Sequence, residues 1–259
     1  KTLIITKSER LESENYLFVT AVITNSTTIG PHKMSFRIPN GKLTGELFVD
    51  ILDRREGSAQ RKGFSSVDFI YLLMPDRFRN GNPLNDNING MEKSDRTKLG
   101  GRHGGDIEGV RLSLDYLQDL GVTGLWLNPV LENDMPDYSY HGYAMTDLYK
   151  VDARFGSNED YKRLSSEAKQ KGIGLIMDQV ANHIGSHHSW MSDLPSGDWV
   201  NQWEAFTQTN HMKVSRFDIH AAEVDRKQFT DGWFVETMPD LNQANPKLAR
   251  YLIQNSIWW

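Results

Sequence analysis

Two polar clusters in this chain have the residue types to handle a hydroxyl-rich ligand. Tyr140-His141-Gly142-Tyr143 offers imidazole nitrogens, a flat ring able to stack, and a glycine that lets backbone approach what is bound. Asp178-Gln179-Val180-Ala181-Asn182-His183 sets a carboxylate, an amide and a second imidazole close together. A turn with buried tyrosines would resemble the first cluster. Asp178 on its own reads as structural, because a carboxylate in a barrel mouth calls for a cationic partner. His183 reads as a ligand contact.

A third group is rich in hard oxygen donors: Asn80, Asn82, Asn85 and Asp86 on one loop, with the Gly104 carbonyl and Asp106 further on. Calcium takes about six to eight such oxygens, so the set reads as a calcium cage, against the plainer reading of an Asn/Gly turn. His183, His187 and His188 raise zinc as an alternative. Gly185-Ser186 argues against a helix that would align them, and no third ligand is evident.

These residues need elements to position them. Residues 1–60 alternate short apolar segments with turns: Leu3 to Ile5, Tyr16 to Ile23, Met34 to Ile38 and Leu47 to Ile51, separated at Asn25-Ser26, Gly30-Pro31 and Asn40-Gly41. That pattern predicts antiparallel β, part of a sandwich. A polar linker, Asp53 to Gly63, follows. From there the rhythm is strand then helix. Strands are predicted near Phe69 to Met74, Gly124 to Pro129 and Gly174 to Val180. One helix is predicted from Asp106 to Leu120, with Ile107, Val110, Leu114 and Leu117 on a single face, and another from Glu159 to Gln170 behind a Ser157/Asp160 capping box. Near-continuous apolar strands in β-loop-α order imply an α/β parallel sheet covered by helices, with Asn128, Asp178, Asn182 and His183 at strand carboxyl ends, where such folds build their sites. Residues from about 185 to 243 break the rhythm and read as an insertion after strand three, before a helix capped at Asn245-Pro246.

Composition narrows the function. With 259 residues and 38% hydrophobic content the chain can bury a sizeable core, and no apolar run approaches the ~20 residues of a membrane helix. A net charge of -5 with interspersed signs provides no field for phosphate backbones, so nucleic acid is not an expected partner. There is no cysteine, hence no disulfide or thiolate chemistry. Seven Trp, nine Tyr and eleven Phe supply faces that can pack on sugar rings.

Taken in order, these segments resemble the α-amylase family of glycoside hydrolases. Asp178 to His183 is similar to the family's Asp-x-x-x-Asn-His signature, and Met238-Pro239-Asp240-Leu241-Asn242 to the signature near the end of its inserted domain. Gly121 to Asn133 and Tyr140 to Tyr143 resemble the strand-two and sugar-stacking segments, and Asp76 to Pro83 the calcium loop. Within the family the closest likeness is to neopullulanases and cyclomaltodextrinases of the Bacteroidetes type. The resemblance implies the N-terminal part of a (β/α)8 TIM barrel over residues 61–259, with an inserted domain at about 185–243 and a partial β-sandwich domain before it.

It further implies hydrolysis of α-1,4 bonds in cyclodextrins, pullulan or maltooligosaccharides. Tyr143 would stack on the sugar before the scissile bond, His141 and His183 would hydrogen-bond it, and Asp178 and Asn182 would brace the site. Calcium would be structural, copies could pair through the N-terminal domain, and the setting would be periplasmic or otherwise exported. The family's retaining mechanism uses an Asp nucleophile, a Glu acid/base and a third acid, all placed after strand three. No residue of this chain is therefore assigned a catalytic role, Asp147, Glu204 and Glu236 included, and the chain alone is expected to be inactive, an N-terminal portion of a longer enzyme. The competing reading is a non-catalytic carbohydrate-binding protein.

Overall fold

The computed structural model describes residues 3–37 and 41–259, and the chain divides into two compact units, 1–63 and 64–259. The division falls at Gly63/Phe64, just past the boundary expected at residue 60.

The first unit consists of two antiparallel hairpins. Strand β1 (Ile4–Glu9) pairs with β2 (Phe18–Val22), and β3 (Gly30–Arg37) with β4 (Leu43–Ile51). Of the segments expected here, Ile38 and Asn40 lie outside the described residues. Antiparallel pairing is as the alternation predicts, but the hairpins are separate two-stranded sheets. His32 is the one buried side chain among the unit's described residues, while Ile4, Leu47 and Phe48 are exposed. Among the described residues the unit is two separate hairpins whose apolar side chains stay largely exposed.

In the second unit β5 (Ile70–Leu73) leads through the four-residue helix α1 (Pro75–Phe78) into the Asn/Gly loop. Two helices follow, α2 (Ile107–Arg111) and α3 (Leu114–Asp119), where one was expected. Two contacts mark the break, one local and one from far along the chain: the Ser113 hydroxyl donates to the Gly109 carbonyl (2.9 Å), and Arg79 donates to the Leu112 carbonyl (3.2 Å). Ser side chains compete for helical backbone partners in this way. The predicted apolar face survives the break, since Ile107, Val110, Leu114 and Leu117 are all buried.

Strand β6 (Gly124–Leu127) precedes a short ribbon made by β7 (Leu131–Glu132) and β8 (Asp147–Val151). Helix α4 (Asn158–Gln170) opens with the Ser157/Asp160 capping box and leads to β9 (Gly174–Met177). The region 185–243 is irregular apart from short 3-10 turns and α5 (Glu223–Asp231), and α6 (Pro246–Trp258) is capped by the Asn245 side chain.

Strands β5, β6 and β9 form one parallel sheet in chain order, with Leu73, Leu127 and Met177 in register. The residues that follow them, Met74, Asn128 and Asp178, therefore share one edge. Leu73, Leu125 and Leu127 point into a core with α2, α3 and α4, where each fully buried Leu contributes about 1.5–3 kcal/mol. The opposite face is not covered: Leu72 is 58% and Trp126 39% exposed. The helices that were expected to cover the sheet pack on one side only.

Candidate functional site

The ribbon β7–β8 holds the first polar cluster out beyond the sheet edge. Its excursion ends in the 3-10 turn Ser139–His141, flanked by Tyr138 and Gly142 in left-handed backbone (φ 60° and 81°). Only glycine fits at 142, since a Cβ there would lie 1.9 Å from the Pro129 carbonyl oxygen. The sharp turn lets His141 fold back on its own chain: the Tyr143 backbone N–H donates to His141 Nδ1 at 2.9 Å. Burial holds His141 below the usual histidine range, partly opposed by Glu92. The neutral ring with Nδ1 accepting must carry its proton on Nε2, which leaves that N–H free to donate to a ligand.

Tyr143 is fixed at its other end. Its hydroxyl donates to Asp178 Oδ2 at 2.9 Å, and Trp126 Nε1 donates to the same oxygen at 3.2 Å. Burial, then the Asp178 carboxylate, pushes the Tyr143 phenol up to about 12. The hydroxyl is therefore a permanent donor at neutral pH. The basic partner expected for Asp178 is not found among the described residues. Its carboxylate is only half-buried, and the neutral donors Tyr143 and Trp126 bond it.

His183 is 7% exposed and meets Tyr143 from below. Its Nε2 bonds the Tyr143 carbonyl oxygen (3.1 Å), its Nδ1 faces Asn182 Nδ2 (3.3 Å), and its ring stacks on Phe234 with centroids 5.5 Å apart. Both ring nitrogens are thus engaged inside the protein, with the proton on Nε2. Burial lowers its proton affinity.

Asn182 also donates to Asp240 Oδ1 (3.1 Å), while Asn201 donates to Asp240 Oδ2 (2.8 Å). Asp240 is 2% exposed with no ion-pair partner among the described residues, and burial raises it to about 6. Backbone bonds from Leu241 N to the Asn182 carbonyl and from Ile184 N to the Pro239 carbonyl close the insertion on the strand-three turn. A cleft of about 780 Å³ opens beside this closure, lined by His183, His211, Arg216, Phe234 and Asp240 among others.

In the oxygen-rich loop the six residues divide the labour, and only some of them meet around Asp86. Asn80 Nδ2 donates to both oxygens of Asp86 (2.7 and 3.0 Å). Gly104 lies directly against that carboxylate, a Cβ there falling 2.8 Å from Asp86 Oδ1. Asn80 Oδ1 and Asn85 Oδ1 are buried with no hydrogen-bond partner. Two orphaned amide oxygens beside a carboxylate suit a hard cation. Asn82 and Asp106 serve the frame instead: Asn82 Oδ1 accepts from Leu84 N, and Asp106 accepts from Gly81 N, Asn82 N and Gly109 N.

The zinc alternative finds no support in the geometry. His188 Nδ1 accepts from Trp190 N at 3.1 Å, His187 is exposed, and no group of three or more His, Asp or Glu side chains able to hold a metal occurs among the described residues.

Sequence reasoning missed several contributors. Trp126 could have been found from its place between Leu125 and Leu127, which turns it to the opposite face of the strand. Asp240 stood within a recognised motif without a role. Phe234, Glu92 and Arg102 carry no local signal, since only the tertiary fold brings them to the site.

The comparisons with known proteins agree with this geometry. The family model described as "Alpha amylase, catalytic domain" matches residues 70–259. Among curated relatives, a cyclomaltodextrinase of Geobacillus thermopakistaniensis is 32% identical over 76% of this chain and 32% of its own length. Neopullulanase 2 of Thermoactinomyces vulgaris is 32% identical over 73% of this chain and 31% of its own. An Anoxybacillus α-amylase of known structure superposes with a TM-score of 0.62 at 35% identity, covering 74% of this chain and 38% of that one. The chain spans about a third or less of the length of these curated relatives. Matched over most of its second unit, the chain belongs to the α-amylase catalytic-domain family, and its three parallel strands are an arc of a TIM-barrel-type glycosidase fold.

Proposed function

We propose that this chain is the glucan-binding face of an α-glucan hydrolase of the neopullulanase or cyclomaltodextrinase kind, acting on α-1,4 bonds in cyclodextrins, pullulan or maltooligosaccharides. The observation that carries this reading is the double fixing of Tyr143, by His141 at its backbone and by Asp178 at its hydroxyl. An aromatic ring held at both ends is a prepaid platform for the apolar face of a glucose ring, with little entropy left to lose on binding. His141 Nε2–H supplies a directional bond to a sugar hydroxyl. His183 and Asn182 hold the platform from behind, and His183 reaches sugar only by exchanging one of its internal bonds.

In this reading the chain carries no catalytic carboxylate of its own. The retaining reaction needs a nucleophile and an acid/base about 5 Å apart, with a third acid beside them, all supplied by other segments of the enzyme. Calcium would be held by Asn80, Asn85, Asp86 and the Gly104 carbonyl, with Asn82 and Asp106 shaping the loop, and would serve to lock that loop. Pairing of copies through the N-terminal hairpins is part of the proposal, supported by the exposed Leu47 and Phe48. So is an exported setting, in keeping with a similar periplasmic α-amylase of Escherichia coli that is 39% identical over 45% of this chain and 19% of its own length. No helix among the described residues is long and apolar enough to cross a membrane.

Calorimetric titration of the chain with maltotriose and with β-cyclodextrin tests the reading. Saturable binding that Tyr143→Ala weakens at least tenfold is expected. Absence of binding, or equal binding by the variant, would refute it.

A further inference from the structure

Between the oxygen-rich loop and the sugar platform lies a buried polar assembly that the glucan reading does not use. Arg102 is 1% exposed. Its Nη1 lies 3.3 Å from the Ser139 carbonyl and 3.4 Å from Ser139 Oγ, while its Nη2 lies 3.8 Å from Asp76 Oδ1 and has no hydrogen-bond partner. Asp76, equally buried, accepts the backbone N–H groups of His103 and Gly104. Gly104 is the backbone that abuts Asp86 in the candidate cation cage. Ser139 begins the turn that carries His141, and its N–H and hydroxyl both donate to Glu92, at 2.8 and 2.6 Å. A second arginine runs parallel: Arg77 pairs with Asp76 at 2.9 Å, donates to the Leu99 and Gly101 carbonyls, and stacks 4.2 Å over the Tyr140 ring.

Burial gives these links their force. A guanidinium held out of water cannot trade a weakened protein contact for hydration, so its two ends move together or lose energy. Displacing Gly104 shifts the N–H groups that hold Asp76. A shifted carboxylate redirects Arg102, and Arg102 holds the carbonyl from which the His141 turn springs.

Building on the proposed glucan and cation sites, we propose that Asp76 and Arg102 couple them: a divalent cation in the Asn80–Asp86–Gly104 cage tightens α-glucan binding at Tyr143, and glucan tightens cation binding by the same factor. Arg102 is a positioning residue, acting through Ser139 on His141 and Tyr143. Reciprocity follows from thermodynamic linkage, and couplings of this kind amount to about fivefold or more.

The test is calorimetric titration of maltotriose into the chain, once after removal of divalent ions by chelator and once in saturating calcium chloride, for the natural sequence and for Arg102→Met. This substitution leaves Asp76 paired with Arg77 and with two backbone donors. Calcium is expected to raise maltotriose affinity about fivefold or more in the natural sequence and to leave it unchanged in Arg102→Met, although the variant still binds each ligand separately. A merely structural arginine would lower the melting temperature without altering that ratio. If Arg102→Met is unfolded at the assay temperature, Arg102→Lys, which keeps the buried charge but lacks the two-ended guanidinium, takes its place and its ratio decides. An unchanged ratio in the variant overturns the inference, as does a natural chain that binds maltotriose equally with and without calcium; the glucan reading survives either result. No maltotriose binding in any condition overturns both.

Discussion

The Tyr143 hydroxyl stands 2.9 Å from Asp178 Oδ2, so a residue of the β7–β8 excursion is latched to the carboxyl end of β9 across the edge of the sheet. Removing only the latch separates stacking from positioning. Tyr143→Phe keeps the ring and loses one hydrogen bond to a charged group, a contribution of about 1.5–3 kcal/mol at most. Maltotriose affinity should fall roughly tenfold in Tyr143→Phe and further in Tyr143→Ala; equal affinities for the two variants would show that the latch, not the ring, does the binding.

Gly142→Ala should be more damaging than its size suggests. The added methyl must displace the Pro129 carbonyl, 1.9 Å away, from a backbone conformation that alanine rarely adopts. The turn would move, the Tyr143 N–H to His141 Nδ1 bond would open, and the Tyr143 amide would lose its protection. Hydrogen exchange at that amide is the direct readout, with faster exchange in the variant and unchanged exchange in α4.

The one-sided cover of the sheet gives a paired prediction. Leu125 is fully buried against the helices, and Leu125→Ala should cost about 2–5 kcal/mol in urea denaturation. Leu72 is 58% exposed, and Leu72→Ala should cost well under half as much. Equal costs would mean that the second face is covered in solution.

Two buried groups oppose each other in acid. Asp240 is raised to about 6, so the folded state binds its proton more tightly than the unfolded chain does, and this contribution is lost as pH rises from about 4 to 6. His188, lowered to about 4 by burial, has the opposite sign: the unfolded chain takes up its proton first, and stability is lost as pH falls from about 6.5 to 4. Stability of Asp240→Asn relative to the natural chain should therefore increase with pH across that window, by up to about 1.4 kcal/mol per unit. A difference independent of pH would show that Asp240 titrates normally.

Much of this was legible in the sequence because short-range rules carried it. Ser157 with Asp160 and Asn245 with Pro246 define their helix starts through contacts within a few residues. The apolar period of Ile107, Val110, Leu114 and Leu117 gave a buried face even where the helix itself broke. The break at Ser113 was invisible because it depends on Arg79, far away in the chain. The partner of Asp178 was misjudged for a related reason. A rule that buried acids need cations presumes full burial, and the depth of a side chain at a sheet edge is set by neighbours such as Tyr143 and Trp126 rather than by local sequence. Glu92 and Arg102 reach Ser139 across long stretches of chain, so periodicity gives no hint of them.

The most direct test of the central claim is to follow the Trp126 indole and the Tyr143 and His141 backbone amides by nuclear magnetic resonance during a maltotriose titration. All three converge on the latch, so their signals should shift together along one saturation curve, ahead of those from the cleft lined by His211 and Arg216. Shifts confined to that cleft, with the Trp126, His141 and Tyr143 signals unmoved at saturation, would contradict the assignment of Tyr143 as the sugar platform.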